Sequence, residues 1–175
     1  MKPARLFLAF ALACSATPAL AQEADPRPGP KLYTETGEAA APVADAYFDA
    51  YIALAWDRVE TMLADDASFC DPTAEPLFGA VSAVGKQKMM ARFREGYAVL
   101  KGMSFDTTRV IHSGGFAIYE GQLTWTIGMG SRDVTSTTPM VTIIEVRNGK
   151  VISHRDYVDY MPFITAERAS RPKPK

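Results

Sequence analysis

The sequence predicts an α+β domain in which helices come first and a long antiparallel meander then curls into a half-open cone. Three observations carry that expectation. Apolar residues recur at three- and four-residue spacing only before Gly102, and two-residue alternation replaces it afterwards. The pair Asn148-Gly149 separates two β-rich runs, a strong signal for a hairpin turn that needs positive φ at both central residues. Helical and strand segments are segregated along the chain, which points to α+β and away from α/β. A curled sheet with helices on one face keeps a concave side that a single helix cannot fill. One pocket lined by alternate strand residues is therefore expected.

The elements follow in order. Lys2 and Arg5, the apolar run Leu6 to Ala13, Pro18 and the small-residue site Ala19-Leu20-Ala21 have the layout of a cleaved secretory signal over residues 1–21. That apolar run is far shorter than the roughly 20 residues a membrane span requires. Residues 22–41 are polar and broken by Pro26, Pro28 and Pro30, and read as a flexible tether. The domain is expected over residues 42–164, opening at Pro42, which suits a first helical turn. Val43, Ala46, Tyr47, Ala50, Tyr51 and Leu54 then form one apolar stripe. A short helix is expected from about Asp57 to Ala64, a short strand from Ser68 to Asp71, and a third helix from Gly85 to Leu100 with Met89, Met90, Phe93 and Tyr97 on one side. Strands follow at Ser104 to His112, Phe116 to Ile127, Val134 to Val146 and Val151 to Tyr160. Residues 165–175 read as a flexible basic tail.

Composition narrows the function classes. Removal of residues 1–21 leaves 154 residues, 17 basic against 20 acidic side chains, and a net charge of −3. No basic patch stands out in the body of the chain, so nucleic acid is not an expected partner. Cys70 is the single cysteine of the mature chain, which leaves no internal disulfide. Its phase relative to Phe69 and Asp71 suggests a small buried hydrophobe between sheet and helices. Two histidines without close carboxylate spacing give no zinc motif, Gly128-Met-Gly130 is not followed by a helix, and no G-x-S-x-G occurs. Neither a metal nor an organic cofactor is expected.

Two segments resemble a known group. Leu63-Ala-Asp-Asp-Ala-Ser-Phe-Cys-Asp-Pro72 resembles the stretch of ketosteroid isomerases that ends in their catalytic base followed by proline. The resemblance implies that Asp71 is a proton-transfer group and that Tyr47 occupies the place of the oxyanion-binding tyrosine. The third catalytic position of those enzymes falls near Val141, which is apolar here. His154-Arg-Asp-Tyr-Val-Asp159 is similar to the closing strand of SnoaL-like polyketide cyclases and limonene-epoxide hydrolases, and it places Asp156 on a catalytic aspartate. The other polar groups of the epoxide hydrolases would fall near Gly121 and Leu123, where neither type occurs, so that mechanism is disfavoured. The resemblance covers about Val43 to Phe163. It implies the nuclear transport factor 2-like cone fold, a small apolar ligand or substrate, no cofactor, and a homodimer.

Physical chemistry supports the same residues and leaves alternatives open. A carboxylate against apolar walls has a raised pKa and becomes a usable acid or base. A preorganised tyrosine can hold a developing oxyanion. On the last strand His154 and Asp156 share one face, with Arg155 and Tyr157 on the other. Asp71 reads equally as a group satisfying backbone donors at a strand end, Tyr47 as a core tyrosine, and Asp156 as half of a salt bridge with an arginine. Tyr119, Leu123 and Trp125 alternate on one strand face, as pocket wall or as core, and Tyr51, Val141 and Val158 are further candidate pocket-lining residues. His112, near a turn, reads as a surface residue. The expected function is an exported domain binding a small apolar molecule. The alternatives are a cofactor-independent isomerase, cyclase or hydrolase acting through Asp71, and a homodimeric assembly module.

Overall fold

The computed structural model describes residues 30–172. The expected signal segment and the first part of the expected tether, residues 22–29, lie outside the described residues. The order is α1 (Pro30–Ile52), α2 (Trp56–Met62), β1 (Leu63–Cys70), α3 (Glu75–Phe78), β2 (Ala83–Val84), α4 (Lys86–Gly96), β3 (Leu100–Ser113), β4 (Phe116–Met129), β5 (Arg132–Arg147), β6 (Lys150–Val158) and α5 (Met161–Ala169).

The six strands form one sheet in the order β2-β1-β6-β5-β4-β3. β3 to β6 make the antiparallel meander, while β6 pairs parallel with β1 and so ties the two halves of the chain together. The Asn148-Gly149 turn has the left-handed φ values of +52° and +71° that its residues favour. Burial along β5 alternates strictly from Val134 to Val146, so one face of the sheet is core and the other is open. α1 crosses the buried face and touches β3, β4, β5 and β6. Tyr47, Met89, Met90, Phe93, Leu63 and Ile144 fill the space between and are fully buried. Each such side chain contributes on the order of 1.5–3 kcal/mol by leaving water.

Several boundaries differ from the sequence expectation. α1 starts at Pro30, so residues 30–41 are helical where a tether was expected, and Pro42 lies inside the helix. The buried stripe explains this: Ala40 is buried, as is Ala44 one turn later. Gly37 also packs so closely on the β3–β4 turn that a Cβ there would meet the Gly114 backbone at 3.4 Å. β1 spans Leu63–Cys70, with the exposed Asp65 and Asp66 accommodated by a register irregularity rather than ending the strand. α4 stops at Gly96, and Leu100 already belongs to β3. Residues 165–169, expected as tail, belong to α5. Cys70 is half-buried; it alternates with the buried Phe69 and so faces away from the helices.

Candidate ligand cavity

Beneath the helices, β6 delivers its two inward polar residues into the core. His154 is fully buried and Asp156 is 2% exposed. Asp156 accepts hydrogen bonds from Tyr51 Oη at 2.8 Å on Oδ2, and from Thr142 Oγ1 and His154 Nε2 on Oδ1. His154 Nδ1 lies 2.9 Å from Tyr47 Oη. Three elements build this cluster: α1 brings Tyr47 and Tyr51 four residues apart on one face, β5 brings Thr142, and β6 brings the histidine and aspartate. Burial alone pushes the Asp156 carboxyl up. The attraction of the neighbouring His154 and the hydrogen bonds from His154, Thr142 and Tyr51 outweigh it and hold the group below the ordinary carboxylate range. The partner of Asp156 is thus a histidine, not an arginine. Burial first, and the Asp156 charge second, raise Tyr47 and Tyr51 well above the usual phenol range, so both remain protonated.

The cluster reaches a cavity through one further residue. Tyr51 Oη lies 2.7 Å from Tyr97 Oη, and Tyr97 lines a cavity of 280 Å³. Its wall is mostly aromatic and aliphatic, with Phe69, Phe93, Trp125 and Phe163 among the contributors, and it contains Asp71 and Tyr160 as well. Asp71 is 5% exposed. Its Oδ1 accepts from the Thr73 and Ala74 backbone N–H groups, each at 2.9 Å, and from the Thr73 hydroxyl, while Oδ2 accepts from Tyr160 Oη at 2.6 Å. Thr73 Oγ1 in turn accepts from the Val158 backbone N–H at 2.9 Å, locking this turn to β6. Burial, followed by the charge of Asp156, raises Tyr97; burial, followed by the charge and hydrogen bond of Asp71, raises Tyr160. Trp125 contributes a buried indole N–H that has no partner among the described residues.

The structure separates the sequence candidates into distinct places. Tyr47, His154 and Asp156 come together with Tyr51, but below the cavity and not in its wall. Asp71 and Trp125 line the cavity. Tyr119 belongs instead to a wide, open groove of 730 Å³ between α1 and β3, where its hydroxyl donates to Asp45 Oδ1 at 2.6 Å. His112 Nε2 lies 2.9 Å from the same oxygen, so Asp45, His112 and Tyr119 form one polar cluster in that larger groove. Leu123 is buried in the sheet, and Val158 is buried beside Met140 across the β5–β6 ladder. Val141 alternates out of phase with these buried residues, towards the open face. Tyr97 and Tyr160 are the polar wall residues that sequence reasoning missed as site residues. Tyr97 reads as the end of an apolar helical stripe, and Tyr160 as the end of a strand.

The SnoaL-like domain family model matches residues 44–154, and the chain belongs to that family. Its fold is that of the nuclear transport factor 2-like and ketosteroid isomerase-like proteins. A Shewanella denitrificans protein of the SnoaL-like polyketide cyclase type superposes with a TM-score of 0.66 at 14% identity, over 75% of this chain and 98% of that one. An epoxide hydrolase of M. tuberculosis gives 0.58 at 20% identity, over 75% and 90% of the two chains. A phenazine biosynthesis-related protein of Pseudomonas aeruginosa gives 0.64 at 13% identity, over 81% and 88%. Comparison with curated proteins yields no significant match.

Proposed function

We propose that this domain binds one small, largely apolar ring compound in the cavity walled by α4, α5 and β4. One observation carries the reading: a cavity with mainly aromatic and aliphatic walls has a few polar groups set in it, among them Tyr97, Tyr160 and Asp71. Such a division, apolar body with a few placed polar atoms, is what small-molecule sites have in common. The volume of 280 Å³ is roughly twice that of an engineered 150 Å³ cavity that takes up benzene, which suits one or two rings.

A second reading, acid–base catalysis, rests on the position of Asp71 in the cavity wall. Tyr47 would serve it only at second hand, because its hydroxyl is committed to His154. Both readings are tested together by thermal-shift and calorimetric screening of small ketones, lactones, steroids, terpenes and aromatic alcohols, with product analysis of every binder. The expected outcome is binding that disappears in Leu100→Trp, which fills the cavity, while the variant stays folded. Loss of product formation in Asp71→Asn would favour catalysis, whereas binding without any product would favour a carrier or sensor. No shift from any class removes both.

Export and dimerisation are further parts of the proposal. The signal-like residues 1–21 support export, and N-terminal sequencing of secreted protein should begin at Gln22. The open sheet face, with Tyr157 at 40% exposure, supports a homodimer, which a monomer at micromolar concentration would rule out.

A further inference from the structure

Counting protons at the polar end of the cavity says what kind of group it accepts. Each tyrosine hydroxyl has one proton. Tyr51 gives its proton to the Asp156 carboxylate at 2.8 Å. The 2.7 Å contact between Tyr51 and Tyr97 must then be filled by the proton of Tyr97, which points away from the cavity. Tyr160 likewise gives its proton to Asp71 Oδ2 at 2.6 Å. Three oxygens of the wall, those of Tyr97, Tyr160 and Asp71 Oδ2, are left with lone pairs and no proton to offer. Turning the Tyr97 proton inward would leave the buried Tyr51 oxygen facing another oxygen with no donor between them, which forfeits a buried hydrogen bond. Two other wall residues carry donors: Arg92 gives one of its N–H groups to the Ala80 carbonyl at 2.6 Å, and the Trp125 indole N–H, on a ring packed against that of Tyr160, has no partner among the described residues.

We infer that the cavity selects ligands whose polar group both donates to the acceptors Tyr97, Tyr160 and Asp71 and accepts from the Trp125 indole, such as a phenol, enol or alcohol on one or two rings, over ketones and ethers of the same shape, which can only accept. The inference rests on the binding proposal above and deepens it. At Tyr97, Tyr160 and Asp71 the polarity is the reverse of an oxyanion-stabilising site, which offers protons to the ligand: here the ligand supplies the proton and these three residues the acceptors.

The test is a matched set of probes measured by calorimetry on the folded domain: 2-naphthol, 2-methoxynaphthalene and 2-acetonaphthone. The expected result is that 2-naphthol binds about tenfold or more tightly than either of the others, the worth of one well-made buried hydrogen bond. Tyr97→Phe should bring 2-naphthol down to the affinity of the ether and leave the ether itself unchanged. A role for Tyr97 in packing alone would weaken both ligands together. Equal or tighter binding of the ether or ketone to the unaltered protein overturns the inference while leaving the binding proposal intact. Failure of all three probes to bind, when other ring compounds of the screen do bind in the cavity, also overturns it. If nothing binds at all, the binding proposal falls and the inference with it.

Discussion

Asp156 is held as a carboxylate in the core by three donors, with 2% of its surface exposed. Its folded-state pKa lies below that of the unfolded chain. The stability it contributes is therefore fully present above the ordinary aspartate value of about 3.9 and is lost as pH falls through the lower folded value. Asp156→Asn keeps the shape but sets an amide N–H₂ against groups that all donate. We expect a loss of about 3–5 kcal/mol at pH 7, as for a buried pair missing one partner. The acid side of the stability curve should also be flatter in the variant than in the parent. Denaturant unfolding from pH 7 to 3 reads both, and an unchanged acid slope would assign the acid response to other carboxylates. The same residue shows why burial is a poor guide to the direction of a pKa shift. Apolar surroundings predict a raised carboxyl, yet His154 on the same strand, followed by Thr142 of β5 and Tyr51 of α1, reverses the sign.

At the scale of elements, α5 is the piece on which the cavity depends. It supplies Phe163, and its N-cap Tyr160 holds Asp71. The helix is fastened near its other end by Glu167, whose carboxylate is bonded by Arg171 and by Arg132 of β5. Those hydrogen bonds, Arg171 first and Arg132 second, bring Glu167 down to about 2. Because the folded pKa is depressed, this fastening is complete above about 4.3 and weakens as pH falls towards 2. Arg132→Ala should speed hydrogen exchange at the α5 amides and weaken ligand binding, with the β5–β6 amides unaffected. Unchanged exchange in α5 would show that Phe163 packing holds the helix by itself. α5 was illegible in the sequence because the polar stretch from Thr165 read as a tail leaving the domain. The strands of the meander were legible because period-two burial runs along β5, the first half of β4 and the end of β6, and the Asn148-Gly149 turn fixed one register. The early start of α1 was masked by Pro42, which sits in mid-helix where a helix start seemed the natural reading.

For the whole molecule, the curl of the sheet decides where cavities can form. Gly121 sits where β3 loses register between Thr107 and Arg109. A Cβ there would collide with the Asp106 carbonyl and lie 2.8 Å from the Phe105 ring. Gly121→Ala must push strand against strand, and we expect a cost of about 1–3 kcal/mol, roughly 2–10 °C in Tm. A Tm within a degree of the parent would mean that the sheet absorbs the methyl group without strain. The cone was legible in the sequence as a class. The cavity was legible only in part, because its polar end unites Asp71, Tyr97 and Tyr160 from three separate elements. The period of any one element shows which face is buried, but not which buried face is left facing empty space.

The parallel pairing of β1 with β6 has a kinetic consequence. It joins Phe69 to His154, and the Asp71–Tyr160 and Tyr47–His154 bonds span 89 and 107 residues. The helices and the β3–β6 hairpins can form from neighbours in the chain, but the polar end of the cavity has no local route to assembly. Closing such long loops is entropically slow. The binding cavity should therefore be among the last features to appear during refolding, with ligand capture lagging behind the recovery of secondary structure.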